Sequence, residues 1–353
     1  MPYWWPFAVG AAFLISAAVT PFLARLAASK GVLDVPGERK LHPGPTPLLG
    51  GVAIYLAFVL PVLGVLLLTE HLIAGEIDVR HFVGFFIGAT VLISGGWLDD
   101  KYNLPPRLSI LFPLLAATSA VIFGIGVEKI TNPFGEALII APVISMLVTF
   151  VWLLAMTYTT KLLDGVDGLT TGVTLVGSIM IALLALSEKF FQPDVAVLAL
   201  IFAAALIGFW LWNLPPATIF LGEGGSTLVG FTLGVLAIIS GSKLATTLLV
   251  VGVPALDVAF VILRRWREGR AVTGGDRTHL HFLLKAAGLS SVQILVIYLL
   301  LASAFGVTTL LFASWQKLGA LILLALLVAV GVTALYRYVR SKPKDTYETG
   351  TNA

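Results

Sequence analysis

Residues 137–187 read ALIIAPVISMLVTFVWLLAMTYTTKLLDGVDGLTTGVTLVGSIMIALLALS. Two apolar runs, at about 137–157 and 170–187, each approach the ~20 residues that cross a bilayer's hydrocarbon. Between them lies KLLDGVDGL, in which Asp164 and Asp167 sit three residues apart, each followed by glycine, with Lys161 ahead of them. Charged groups are costly beside a bilayer and are kept there for a task. Read as one helical turn, this spacing puts both carboxylates on one face. Gly165 and Gly168 leave room beside them for a bulky anion. The plain alternative is an acidic start to the following helix, favoured by its dipole.

The same apolar texture runs along the whole chain. Of 353 residues, 58% are hydrophobic and 12% charged, against about 25% charged in soluble domains. Further spans are expected at about 3–23, 48–69, 81–98, 107–126, 195–213, 225–241, 244–263, 292–313 and 318–338. The fold class is therefore all-α, a polytopic membrane protein of about eleven transmembrane helices. It is read as a single domain over 1–340 with a short polar tail at 341–353. The first apolar run precedes the first basic residue, which reads as a retained span with its N-terminus outside. A net charge of +3 is too small to point to nucleic acid, and the absence of cysteine removes thiolate chemistry.

Sidedness gives an independent check. With the N-terminus outside, seventeen of the 22 Lys and Arg residues fall in loops on the cytoplasmic side and five on the other, as the positive-inside rule requires. The acidic and histidine clusters fall on that same side: GERKLHPGPTPLLGG (37–51), LDDKYNLPPR (98–107), KLLDGVDGL (161–169), NLPPATIFLGEGGS (213–226) and GGDRTHLHFLL (274–284). A transporter would carry its ionisable groups near the midplane, on broken helices. This pattern instead predicts an active surface at the cytoplasmic boundary of the cell membrane.

Each cluster has a chemical reading. Asp99 and Asp100 are adjacent carboxylates, which repel unless a cation or an acid–base role justifies them; a solvated helix end is the plain alternative. Glu223 precedes a Gly-Gly-Ser turn whose N–H groups would favour a phosphate. That glutamate would offer Mg²⁺ a hard oxygen ligand. His279 and His281, at i and i+2, do not share a helix face and read as a loop gripping a polar ligand. Arg277 and Asp276 stand just ahead of them. Asp257, near the end of a span, either orients Arg264 or lines the cleft. RRWREGR (264–270) reads as an anchor to the inner surface.

The blocks DVPGERKLHPGPTPLLGGVAIY, LDDKYNL, LLDGVDGL, NLPPATIFLGE with the following GS, and DRTHLH occur in this order between about 34 and 290. Together they resemble the polyprenyl-phosphate N-acetylhexosamine-1-phosphate transferases, which start O-antigen, teichoic acid and peptidoglycan lipid intermediates. The resemblance implies transfer of a sugar 1-phosphate from a UDP-sugar to polyprenyl (undecaprenyl) phosphate, with UMP released. It implies Mg²⁺, with Mn²⁺ as a substitute, and leaves a homodimer open. Glu223, Asp100 and the Lys161 position are the metal positions so implied, while Asp99, Asp100, Asp164, Asp167 and Lys161 are the catalytic set. Lys40, Asn213, Arg277, His279 and His281 are the substrate-binding set, and Arg39 and His42 are read as help in recruiting anions.

Three positions depart from the resembled pattern. Lys161 stands where the family has asparagine, Glu223 where it has aspartate, and Ser109 where it has lysine. One reading is that cationic charge has moved, with Lys161 holding a phosphate oxygen and Glu223 keeping the metal. The other is that Lys161 pairs with Glu223 and replaces the metal. Phe282 stands where relatives often carry a histidine, which brings the HLHF loop closer to the N-acetylglucosamine branch than to the muramoyl-pentapeptide branch. Two rival classes remain: a silent relative that binds polyprenyl phosphate or scaffolds envelope assembly, and a flippase for lipid-linked sugars.

Overall fold

The computed structural model describes residues 4–35, 44–69, 71–73, 77–130, 132, 134–241, 243–269 and 278–341. The helices begin with α1 (Trp5–Lys30), α2 (Gly50–Leu68), α3 (Val79–Tyr102), α4 (Pro106–Ser109) and α5 (Leu111–Ile122). Next come α6 (Pro142–Leu163), α7 (Leu169–Leu186), α8 (Pro193–Asn213), α9 (Gly222–Ile239) and α10 (Leu244–Val250). The last four are α11 (Gly252–Arg267), α12 (Leu280–Ala286), α13 (Ser291–Leu311) and α14 (Ser314–Ser341). Among the described residues the only strands are two antiparallel pairs of two residues each, β1 (Leu33–Asp34) with β2 (Thr46–Pro47) and β3 (Lys129–Ile130) with β4 (Leu138–Ile139).

Nine of these helices are long and apolar enough to cross a membrane, and α10 with α11 makes a tenth as a bent pair. The segment expected at 107–126 is the shorter apolar helix Pro106–Ile122. The chain is an all-helical, multi-pass membrane protein. The span expected to run unbroken from 244 to 263 is corrected, because it bends by 83° between α10 and α11. Pro254 explains the break: it has no N–H to donate, and its ring crowds the carbonyl of Val250 one turn back.

At the centre stands α9, with 89% of its apolar window buried, whereas α1 and α14 lie at the edge with 28% and 22%. It packs against α2, α3, α6, α7 and α10. Lipid tails give apolar helices no reason to prefer one another, so close approach depends on small residues. A Cβ added at Gly96 of α3 would lie 2.0 Å from the backbone N of Gly224, and one at Gly51 of α2 would lie 2.3 Å from Cα of Gly225. On the α6 side, a Cβ at Gly230 would meet Oγ1 of Thr160 at 2.1 Å. Buried polar groups tie further helix pairs: Ser16 donates to the carbonyl of Ala205 (2.6 Å), Ser178 to Ala199 (2.7 Å) and the Trp152 indole to Gly234 (3.1 Å).

These crossings bring the ends of α3, α6 and the start of α9 to one end of the bundle. The chain entering α2 is stitched to the chain entering α9: Phe220 N donates to the Pro47 carbonyl, and Gly50 N and Gly51 N donate to the carbonyls of Phe220 and Leu221. The β1–β2 pair extends this seam, since Leu48 N donates to the Val32 carbonyl.

Candidate active site

Asp99 and Asp100 lie inside the last turn of α3, not beyond it. Both oxygens of Asp100 accept from the backbone N–H of Glu223, each at 3.1 Å. Asp100 therefore caps α9 from another helix, its carboxyl oxygens taking an N–H near the start of α9 that the helix itself leaves unpaired. Only glycine fits at residue 222, with φ at 73°. There an added Cβ would come within 2.5 Å of Asp100 Oδ2 and 2.7 Å of the Leu48 carbonyl. The expected Gly-Gly-Ser turn is corrected, and the N–H just ahead of it is not open to a phosphate. Gly224, Gly225 and Ser226 are already helical, and the Glu223 N–H is taken. Asp99 is equally committed, accepting from Ser109 Oγ at 2.7 Å and from Leu104 N at 2.9 Å.

Lys161, in the last turn of α6, meets Glu223, in the first turn of α9, with Nζ 2.5 Å from Oε1. The side chains keep 27% and 20% of their surface, so the pair faces the cleft without being loose in solvent. The Tyr158 ring lies beneath the ammonium, 5.7 Å from its centroid.

Residues 164–168 form a non-helical turn between α6 and α7, and Gly168 is left-handed at φ 72°. The expectation of one helical face shared by Asp164 and Asp167 is thereby corrected. Asp167 accepts from the backbone of Ala217 at 3.0 Å and so holds the 214–219 loop. The Trp210 indole donates to the Gly168 carbonyl at 2.8 Å. Asp164 keeps an exposed surface toward the cleft while dense protein surrounds its other sides. That desolvation pushes its carboxyl up to about 7, helped by the like charges of Glu223, Asp167 and Asp34 and opposed by the Thr170 hydroxyl.

His279 and His281 do not form the expected loop, since His279 is the N-cap residue of α12 and His281 lies in its first turn. Both are buried, with parallel rings whose centroids are 5.9 Å apart. Asp257 takes Nδ1 of His279 at 2.9 Å and the Leu280 N–H at 2.9 Å, partners that neither expected role, orienting Arg264 or lining the cleft, had named. His281 packs on the turn after α6: a Cβ at Gly165 would lie 2.6 Å from its Nε2. Neither of its ring nitrogens has a hydrogen-bond partner. Burial, with the charges of His279 and Lys285, lowers its pKa to about 3, so the ring is neutral near pH 7. Arg264 donates to Thr278 beside them.

Asn213 is buried, and both ends of its amide are engaged. Its oxygen accepts from Thr171 at 3.0 Å and its nitrogen donates to the Ile219 carbonyl at 3.0 Å. That arrangement shapes the loop before α9. Lys40 and Arg277, with Arg39, His42 and Asp276, lie outside the described residues. The sequence reading missed Asp34 of β1, whose charge reaches Asp164. It opens the DVPGERKLHPGPTPLLGGVAIY block, where no second carboxylate at a short spacing singles it out.

The pattern of Glycosyl transferase family 4 matches residues 82–241. The chain is 32% identical over 289 residues to the "Probable undecaprenyl-phosphate N-acetylglucosaminyl 1-phosphate transferase" of Bacillus subtilis (strain 168), covering 80% of this chain and 78% of that protein. This chain belongs to glycosyl transferase family 4. It is also 28% identical over 355 residues to a decaprenyl-phosphate N-acetylglucosaminephosphotransferase of Mycolicibacterium smegmatis (92% of this chain, 86% of that one). An undecaprenyl-phosphate alpha-N-acetylglucosaminyl 1-phosphate transferase of Escherichia coli (strain K12) is 27% identical over 306 residues, covering 80% of this chain and 77% of that protein.

Family 4 enzymes of this kind depend on Mg²⁺, so the donor set here must be tested against that ion. Mg²⁺ needs only one or two carboxylates besides substrate phosphates and water. Glu223 is the carboxylate at the resembled metal position, and it is spent on an ammonium. A divalent ion on the same oxygen would sit within about 5 Å of Nζ. At an effective dielectric near 20, that repulsion is roughly 7 kcal/mol. Asp100 is turned to a backbone N–H, and among the described residues no three His, Asp or Glu side chains come together as a metal cage. Glu223, the carboxylate at the resembled metal position, does not fit a divalent cation while Lys161 holds its place.

The two shifted groups give this family 4 chain a pH signature. Asp164 has a raised pKa, so its contribution to stability is full below its ordinary value near 4 and is lost as pH rises through about 7. His281 has a lowered pKa, so its contribution is full above 6.5 and is lost as pH falls toward 3. Between about 4 and 6.5 these two slopes oppose each other, so the pair leaves the thermal midpoint of the purified protein nearly level there, with a fall below about 4 and another above about 6.5. Asp164→Asn removes the opposing slope, so the midpoint of that variant is expected to rise with pH up to about 6.5 and to lose the fall above it. A midpoint that stays level with pH in that variant would refute the assignment.

Proposed function

We propose that this chain transfers N-acetylhexosamine 1-phosphate from a UDP-sugar to polyprenyl phosphate, undecaprenyl phosphate being the expected acceptor. The reaction takes place at the cytoplasmic face of the cell membrane. One observation carries the reading: a lysine–glutamate pair, the aspartates ending α3 and those of the α6–α7 turn meet at one end of a membrane bundle, in a chain whose relatives bear that activity in their names. A water-soluble nucleotide sugar and a lipid phosphate can meet only at such a surface.

The chemistry is a displacement at phosphorus. An oxygen of the lipid phosphate bonds to the β-phosphorus, the bond from that phosphorus to the bridging oxygen breaks, and the electron pair leaves on UMP. The acceptor's second pKa is near 6, so it attacks largely as the dianion and needs no strong base. Charge is conserved without a proton transfer. The task left to the protein is positioning and charge neutralisation. Lys161 lies beside the transferred phosphate in this reading. Asp99 and Asp100 fix the ends of their helices. His279, held by Asp257, turns Nε2 toward the sugar or its phosphate, and Lys40 and Arg277 are assigned to anion binding. Asp164 borders the acceptor site, and Asp167 and Asn213 shape the loop that receives the nucleotide.

N-acetylglucosamine is the favoured sugar, because the relatives' names carry it. A panel of radiolabelled UDP-sugars with undecaprenyl phosphate tests the proposal. Label from UDP-N-acetylglucosamine is expected to enter the organic phase with matching UMP release, ahead of UDP-N-acetylgalactosamine and UDP-glucose. The second reading is a silent relative, favoured by the occupied carboxylates of Asp99 and Asp100. Release of no UMP from any UDP-sugar would decide for it.

A further inference from the structure

The ion pair at the centre of the cleft differs from a surface salt bridge. Lys161 ends α6, where the helix dipole favours a cation, and Glu223 opens α9, where it favours an anion. The pair thus satisfies two helix ends at once, and at 2.5 Å it is tight. An ammonium has three N–H donors. One points to Glu223, which leaves donors for phosphate oxygens on the partly open side.

We infer that Lys161 is the built-in cation of this site and that it takes the place of a divalent metal, so that the chain binds and transfers its anionic substrate without Mg²⁺. The inference rests on the transferase reading for its catalytic half only. In the displacement described above, the ammonium keeps its three protons throughout. It offsets charge on the oxygens of the β-phosphorus while the new P–O bond forms and the old one breaks. Glu223 holds it in position, and its extra methylene relative to aspartate lets it reach the ammonium. A pair that neutralises itself also explains why the dyad tolerates its place at the membrane boundary, where an unpaired lysine would be costly.

Two independent measurements on the full-length protein in detergent decide this. Label transfer from UDP-N-acetylglucosamine to undecaprenyl phosphate is expected to be the same in excess EDTA as in millimolar Mg²⁺. Lys161→Gln is expected to lower it by about 100–1000-fold, the scale of losing one preorganised charge donor. Manganese binding read by electron paramagnetic resonance needs no turnover. The natural protein is expected to show no Mn²⁺ that is lost in Glu223→Gln, whereas the Lys161→Asn/Glu223→Asp double variant gains one such ion and becomes Mg²⁺-dependent. Transfer abolished by EDTA and restored by Mg²⁺ would overturn the inference, and so would Mn²⁺ bound by the natural protein at Glu223. If no sugar is transferred under any condition, the transferase reading falls, while the manganese measurement still decides whether lysine has displaced the metal. Both measurements on the natural protein stand even if the variants fail to fold.

Discussion

Gly96→Ala is expected to lower the unfolding temperature sharply and to abolish sugar-phosphate transfer, although residue 96 touches no substrate. The added methyl carbon would stand 2.0 Å from Gly224 N, 2.1 Å from Gly224 Cα and 2.9 Å from the Glu223 carbonyl carbon. All three are backbone atoms, so no side chain can swing aside, and α3 and α9 must separate. Overpacking a membrane crossing of this kind costs about 1–3 kcal/mol or more. The functional loss follows from what lies one turn further along α3. Asp100 reaches the Glu223 N–H at 3.1 Å, and a shift on the order of 1 Å takes that contact beyond hydrogen-bond range. Glu223 would then lose its register against Lys161. Gly64→Ala is the control: it sits in α2 with nothing within 4 Å of the added carbon. There alanine is expected to be neutral or to stabilise the helix by up to about 1 kcal/mol. Equal thermal midpoints for the two variants would show that the α3–α9 crossing is not held this tightly.

The contrast between these two glycines shows why the spans were legible in the sequence and the crossings were not. Hydropathy over a window decides whether a segment crosses the membrane, and it needs no knowledge of neighbours. It placed α7, α8 and α13 within a few residues of their true ends. It failed where the backbone breaks a continuous apolar run, as at Pro254. The acidic cluster was legible because carboxylates are rare in such a chain, but the commitments of those carboxylates were not. Asp100 is 123 residues from the N–H it caps and Asp167 is 50 residues from its partner, and both partners are backbone groups with no side-chain signature. Asp34 opens a recognisable block, but nothing in that block says its charge reaches Asp164, 130 residues further along the chain. Lys161 is the instructive case. Its departure from the resembled asparagine was visible, and two roles were open; only the position of Glu223 across the α6–α9 contact favours pairing over a separate phosphate contact.

Asp257→Ala should be the most damaging substitution on the histidine side, and it separates structure from chemistry when read beside Asp257→Asn. Asp257 is 3% exposed and supports two groups at once, the Leu280 N–H and Nδ1 of His279, both at 2.9 Å. Alanine leaves a buried N–H and a buried imidazole without partners, a loss on the order of 3–5 kcal/mol. The start of α12 would come away, and the packing of His281 on Gly165 would go with it. Hydrogen exchange across 280–286 should rise to that of an open segment. Asparagine has the same shape and keeps one acceptor, so the fold should survive. A carboxylate only accepts, which places the His279 proton on Nδ1 and leaves Nε2 as the working nitrogen. An asparagine amide turned toward Nδ1 reverses that tautomer. Transfer is then expected to fall by about 100-fold with the thermal midpoint nearly unchanged, the scale on which a supporting carboxylate holds a working histidine. Full activity in Asp257→Asn would mean that His279 only seats α12. Loss of activity without loss of stability would place Nε2 at the substrate.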